Sequence, residues 1–489
     1  MKKTMVYNKR RRWAPLGIAT VVVLFCAHGQ AQVPVSKLVG NTKHLVLDSR
    51  VIDKTDGVQL VLGKVEKEPR NPLFQADKPW ENSLNNLYPN VIYDEEHKLF
   101  KLWYKCVIVD KDLIAKMRKP SLIHRNGWFL CYATSTDGIV WKKPALGVCE
   151  FDGSTKTNAV VEGVANAGVF KDPADPNPAR RYKLIYDVGF SKLRARFSAD
   201  GIHWSDPLLP KGLVVASGNG TTGDTHNNAF WDNRLGKYIL ITRIYRGQRM
   251  VARSSSDDFL NWEEPKIVLH STPEEDRKRQ TYCMSAFPYA NVYLGFVMMY
   301  NAGTDQTVDC ELAWSPDSVQ WHRIKPGESF IPRGSQPGYD SGCIYAQAGS
   351  PTVWNNRMFI FYGGSREVHK GWKRHCLPCL AYLRCDGFAG YRPIRSGETG
   401  TIITRPLVCD GNPIRVSADA ENGSLRVSVL EADGFGLDDC EPITHNVTDG
   451  VVIWKRGKDP SSLKGKTVRL KFELNSAVLY AFSGLTGPD

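Results

Sequence analysis

Three kinds of residue in this chain are placed to do chemistry. The first are acids in loops rich in glycine or flanked by aromatic rings. These are Glu81 in Trp80-Glu81-Asn82, Asp224 in Gly223-Asp224-Thr225-His226, and Asp340 in Tyr339-Asp340-Ser341-Gly342. Two carboxyl groups held near one another can divide the work of proton donor and of base or nucleophile between them. The imidazole of His226 offers a second way to move a proton near neutral pH. The second kind is the aspartate of a recurring Ser-x-Asp, at Asp137, Asp200, Asp258 and Asp317. The third is Cys376-Leu377-Pro378-Cys379, which has C-x-x-C spacing. No second pair or histidine cluster completes a zinc site there, and the surrounding pattern reads as strand, so these are buried strand cysteines.

The recurring aspartates reveal the elements that must position everything else. Ser135-Thr136-Asp137-Gly138-Ile139-Val140-Trp141 returns as Ser198 to Trp204, Ser256 to Trp262 and Ser315 to Trp321. The tryptophans at 141, 204, 262 and 321 are 63, 58 and 59 residues apart. Four copies in register mean a repeat architecture. Aspartate and glycine tolerate the positive φ of a short turn between strands, and the tryptophan packs back across the hairpin. The unit resembles the Asp box of β-propellers, whose role is structural, so these four aspartates read as turn formers.

Between about Asn71 and Pro393 the pattern repeats as short strands joined by turns. The units begin at Tyr88 to Asp94, Ala167 to Asp172, Asn228 to Asp232, Ala286 to Tyr289 and Ala348 to Trp354. Four antiparallel strands per unit and five units predict an all-β fold, a five-bladed β-propeller whose ring closure protects the sheet edges. The repeat stops near Ser396, and alternating short strands such as Ser424 to Leu430 and Val468 to Leu474 predict a C-terminal β-sandwich.

The N-terminus reads as an export signal. Six basic residues and no acid occupy positions 1–12, an apolar run extends from Ala14 to Ala27, and Gly29-Gln30-Ala31 supplies small residues for cleavage. The run is short for a membrane span of about 20 residues. The expected division is therefore a signal peptide at 1–31, a propeller at 32–396 and a sandwich at 397–489, in a secreted or periplasmic protein with no stable membrane insertion after cleavage. Removing the signal takes six basic charges from the formal +13, leaving +7. That either favours an anionic substrate or surface or is simply an uneven solvated surface, and no nucleic-acid motif is present. Eleven of twelve cysteines lie beyond the signal, an odd number that leaves one thiol over.

The propeller, sandwich and signal together resemble the invertase/levanase and arabinanase superfamily, glycoside hydrolase families 32 and 43, in particular secreted bacterial family 32-like proteins. The likeness covers most of the mature chain. It is carried by Gly223 to Asp232, Gly338-Tyr339-Asp340-Ser341-Gly342 and the run from Gly400 to Phe482. The resemblance implies a glycosidase acting on an oligo- or polysaccharide through a carboxylate pair in the central pocket, without a cofactor, although some relatives carry Ca²⁺ in the axial channel. It also implies acids at the innermost strands of the early units. In unit one the family has Asp before Pro, where this chain has Tyr88 before Pro89. Glu81 is the nearest acid upstream, with Trp80 as a platform for stacking a sugar. Asp172 stands where the modulating acid is expected, near the turn end of its strand. Asp224 stands for the proton donor, with His226 as an alternative, and Asp340 is the acid of unit five. Tyr282 occupies the matching place in unit four. Arg243 and Arg253 either meet an acidic group on the substrate or pair with buried aspartate. A non-catalytic carbohydrate-binding propeller, or a protein scaffold, are the alternatives, since fold alone does not choose.

Overall fold

The Ser-x-Asp turns show how local sequence builds the fold. Asp137 Oδ1 accepts the backbone N–H of Ile139 and of Val140, each at 2.9 Å, and the Ser135 hydroxyl at 2.8 Å. Trp141 Nε1 then donates to the Gly138 carbonyl at 3.1 Å. The same bonds recur at Asp200, Asp258 and Asp317. Each turn needs one residue at positive φ. Gly138 and Gly201 take it freely, whereas Phe259 (φ 70°) and Ser318 (φ 63°) hold it under strain. Phe259 is fully buried among Phe170, Phe197, Tyr238 and Trp262, and this aromatic packing offsets the strain.

The computed structural model describes residues 43–110, 112, 127–189, 192–213, 221–371, 374–395 and 397–487. The export segment read at 1–31 lies outside them. The fold is all-β, and the 3₁₀ turns between strands are three or four residues long. No helix among the described residues is long and apolar enough to cross a membrane.

The repeats form antiparallel sheets in chain order, the fourth and fifth continuous as one nine-stranded sheet through a parallel pairing of Val308 with Cys343. The first comprises Asn90–Asp94, Leu99–Val107, Trp128–Ser135 and Ala159–Glu162. The second comprises Ala165–Lys171, Tyr182–Asp187 and Leu193–Ser198. In the third, Asn228–Asp232 and Thr221–Thr222 both pair with Lys237–Tyr245, followed by Arg249–Ser256 and Lys266–Leu269. The fourth runs through Gln280–Tyr289, Val292–Tyr300, Val308–Ser315 and His322–Ile324. The fifth has Cys343–Ala346, Thr352–Trp354, Arg357–Ser365 and Cys376–Arg384. Its last strand then pairs with Glu66–Lys67, from before the first repeat. Middle strands such as Leu99–Val107 and Val292–Tyr300 are buried along nearly their whole length, because both of their faces are covered.

The innermost strands of the five repeats meet. Val91, Val169, Phe230, Phe287 and Val353, one from each, line a single cavity of about 510 Å³. Side-chain amides bind neighbouring innermost strands together. Asn90 Oδ1 accepts from Val169 N at 2.8 Å, and Asn228 Oδ1 from Ala286 N at 2.8 Å. Gly168 lets two strands approach closely, since a Cβ there would lie 1.7 Å from the Asn227 carbonyl oxygen. A parallel bridge between Asn90 and Ala348 joins the fifth repeat to the first.

Besides a small sheet of Thr467–Val468, Leu407–Cys409 and Leu485–Thr486, the C-terminal strands form two larger sheets over one core. One has the order Val58–Leu62, Ala389–Pro393, Val478–Ser483, Arg415–Asp419, Val447–Val451, and the other Ile52–Asp56, Thr399–Thr404, Leu470–Asn475, Ser424–Val429. Their shared core includes Ile52, Ile402, Val416, Leu425, Phe472 and Phe482. Residues 44–62, which the sequence reading counts with the repeats, thus pair with C-terminal strands. Register explains why sequence pattern missed this: strand pairing across more than 300 residues leaves no local trace.

Candidate functional site

The four carboxylates singled out by sequence fall into two groups. Three are buried, each bonded to a lysine and a tyrosine. Glu81, 1% exposed, accepts Lys143 Nζ at 2.7 Å and the Tyr104 hydroxyl, as well as the Asp77 backbone N–H at 3.0 Å. Asp172 accepts Lys183 Nζ and the Tyr238 hydroxyl, each at 2.8 Å. Asp340 accepts Lys67 Nζ at 2.5 Å, the Tyr362 hydroxyl at 2.9 Å and the Gly334 N–H at 3.1 Å. These are satisfied ion pairs that fix chain segments to one another. Asp224 differs. Its side chain is 59% exposed, and Arg243 Nη2 donates to it at 2.6 Å. No two of the four share a hydrogen-bond partner among the described residues.

Around Asp224 lies a different set of side chains, contributed by the beginnings of the innermost strands and the hairpins beside them. Arg243 and Arg249 come from the two strands of one hairpin, where Tyr245 faces Arg249. Both guanidinium groups lie beside the Tyr282 ring, at 5.2 and 5.5 Å from its centroid. The Tyr282 hydroxyl accepts Asn86 Nδ2 at 3.2 Å. His369 meets the same ring edge-on at 4.5 Å, and its Nδ1 is 2.8 Å from the Tyr345 hydroxyl. Arg374 donates through Nε and Nη2 to Asn85 Oδ1, at 3.1 and 2.9 Å. Tyr88 stacks on His226 with centroids 4.7 Å apart and rings 8° from parallel.

Burial sets the protonation of this cluster. His226 is fully buried, and burial pushes its pKa down to about 3 against the opposing pull of the Ala167 carbonyl. It is therefore neutral at physiological pH and cannot serve as the proton donor that the sequence suggests; it is a wall of the site. His369 is driven down to about 2, first by burial and then by the fields of Arg374, Arg249 and Arg243. The Tyr88 phenol is pushed up by burial. The cluster thus holds three guanidinium groups and one carboxylate.

Trp80 stands apart from this cluster. It donates to Asn158 Oδ1 at 2.8 Å and packs edge-on to Phe151 at 5.8 Å. Arg253 donates to the Ser318 hydroxyl at 2.9 Å, in one of the Ser-x-Asp turns. Cys376 and Cys379 are buried on their strand. Asp94, Glu96 and His97 lie close enough to hold a cation. Lys101 at 2.6 Å and Lys171 at 3.0 Å already neutralise Asp94, which disfavours a metal there.

Sequence reasoning found Asp224, His226, Tyr88, Arg243 and Tyr282 but missed Arg249, His369 and Arg374. Arg249 was within reach: it lies six residues after Arg243, across a turn through Gly247, so hairpin register puts both at one end of the sheet. His369 and Arg374 lie in the connection between Arg357–Ser365 and Cys376–Arg384, and only tertiary structure brings it to Tyr282.

No protein-family model matches the chain, and no curated protein matches it in sequence. Among solved structures it is similar to an N-acetylgalactosamine deacetylase from F. plautii in complex with blood group B trisaccharide. That likeness has 15% identity and a TM-score of 0.45, and covers 66% of this chain and 96% of that one. A β-1,2-mannobiose phosphorylase from Listeria innocua matches at 12% identity and TM-score 0.44, over 66% and 97% of the two chains. An α-L-arabinofuranosidase from Podospora anserina in complex with cellotriose matches at 13% identity and TM-score 0.41, over 68% and 96%. Identities and scores this low decide nothing about function, which rests on the chemistry of the cluster.

Proposed function

We propose that the protein is a carbohydrate-active enzyme of the glycoside hydrolase kind, built as a five-bladed β-propeller with a β-sandwich and acting where Asp224 opens to solvent. The shared cavity of five innermost strands and the Asn90–Ala348 bridge support the propeller, and two sheets over one core support the sandwich. Export accompanies this reading and rests on the basic head and apolar run of residues 1–31. No cofactor is part of it.

The observation that carries the site is the contrast in exposure: Asp224 is open at 59%, whereas Glu81, Asp172 and Asp340 are about 1% exposed and held by lysines. Arg243 orients the Asp224 carboxylate. A carboxylate so placed can fill one of the two carboxyl roles that glycoside cleavage takes. The burial of the other three acids favours a second reading, a propeller that binds carbohydrate without cleaving it.

A screen of the full chain against plant and algal oligosaccharides separates these. With a substrate found, Asp224→Asn should cut turnover by about 10²-fold or more, the usual share of a proton-transfer group. Equal turnover in wild type and Asp224→Asn refutes the site. Saturable binding without turnover in either establishes the second reading.

A further inference from the structure

Among the described residues, five buried side-chain polar atoms with no hydrogen-bond partner belong to this one cluster, Asn86 Oδ1, Thr225 Oγ1, His226 Nε2, Arg243 Nη1 and Arg249 Nε, with Gln248 Oε1 a sixth in the turn of the same hairpin. Native proteins leave few such atoms, because each costs about 1–3 kcal/mol of desolvation. Their concentration around Tyr88 and Tyr282 is therefore informative. Their chemistry is one-sided. The two guanidinium nitrogens can only donate, the Thr225 hydroxyl can donate, and His226 Nε2 donates in one tautomer. The Asn86 amide, turned over, would accept from the Tyr282 hydroxyl and present its NH₂ group instead. All five can thus face an acceptor.

The charge agrees. Arg243, Arg249 and Arg374 all bear on His369, and Asp224 is the carboxylate bonded to one of them. Arg243 and Arg249 are held beside the ring of Tyr282, and Arg249 also lies 5.0 Å from the Tyr300 centroid. Planar guanidinium groups fixed in this way match the paired oxygens of a carboxylate or sulfate.

Resting on the carbohydrate reading above, we propose that Arg243, Arg249 and Arg374 form a subsite for the anionic substituent of an acidic sugar, a uronate carboxylate or a sulfate ester. Asp224, the exposed group of the cluster, faces the bond beyond that substituent.

The test is calorimetric titration of the full chain with oligosaccharides of matched length: neutral, uronate-bearing and sulfated. One acidic series should bind about tenfold or more tightly than the neutral one, the equivalent of one or two charge-assisted hydrogen bonds, and that series identifies the substituent. Arg249→Gln should remove the preference, and Arg249→Lys should restore part of it. Thermal melts confirm that both variants are folded, and Arg253→Gln, in a Ser-x-Asp turn, should keep the preference in full. Equal affinity for all three series overturns the proposal, as does a preference that Arg249→Gln and Arg374→Gln both leave intact. Turnover of neutral glycans that depends on Asp224, without an acidic preference, overturns the subsite and leaves the hydrolase reading standing. An acidic preference in Asp224→Asn, with no turnover in the wild type, upholds the subsite and sinks the hydrolase.

Discussion

His226 carries a consequence for stability as well as for the site. Its pKa of about 3 in the folded chain lies below the ordinary value of 6.5. Between those limits the unfolded chain takes up a proton that the folded chain refuses, so stability falls as pH drops from about 6.5 toward 3. His369, held at about 2, adds a second proton over the same window. Each contributes a slope of up to about 1.4 kcal/mol per pH unit. Denaturant midpoints measured from pH 8 to 4 should fall steadily, and His226→Gln should flatten the curve by one proton. Glu275 acts lower down. Burial raises its pKa, but Arg323 overrides this and holds it at about 2. Its contribution is present above the ordinary carboxylate range and is lost as pH falls toward 2. Lys183 and Asp172 form a pair with both side chains fully buried. Lys183→Met leaves a buried carboxylate without its cation and should cost about 3–5 kcal/mol. Denaturation would read that loss, while activity per folded molecule should hold, since the pair lies outside the cluster around Asp224.

At the level of elements, the repeats depend on a few positions where backbones nearly touch. Gly168 is one: Gly168→Ala sets a methyl group 1.7 Å from the Asn227 carbonyl oxygen, so two innermost strands must part. The expected loss is about 3 kcal/mol or more, read as a lowered denaturant midpoint. The repeat strands and their turns were legible because the signal is local. Asp137 and its three counterparts make the turns that their spacing suggests. What escaped was nonlocal. Glu81 and Asp340 stand beside aromatic or glycine residues and Asp172 near the turn end of its strand, yet each meets a lysine far away or across a hairpin, and no sequence pattern encodes that meeting. Arg249 was readable from hairpin register; Arg374 was not.

On the scale of the whole molecule, the N-terminal residues are structural. Glu66–Lys67 completes the fifth sheet, and strands within 44–62 extend both C-terminal sheets. Deleting residues 1–67 removes strands from three sheets at once and uncovers the core that Val46, Val51, Ile52 and Val58 share with the C-terminal strands. It also strips Lys67 from buried Asp340. The truncated chain should fail to give a cooperative melt, whereas a chain cut only after residue 31 should melt like the full one.

That clasp also governs when the chain can finish folding. Synthesis delivers residues 44–67 first and their partners last, so the first-made segment must wait, unpaired, until nearly the whole polypeptide has emerged. A circular permutant that joined the present ends and opened a surface turn between two repeats would make those strands neighbours in time as well as in space. It should reach the native state faster than the natural order of the chain allows.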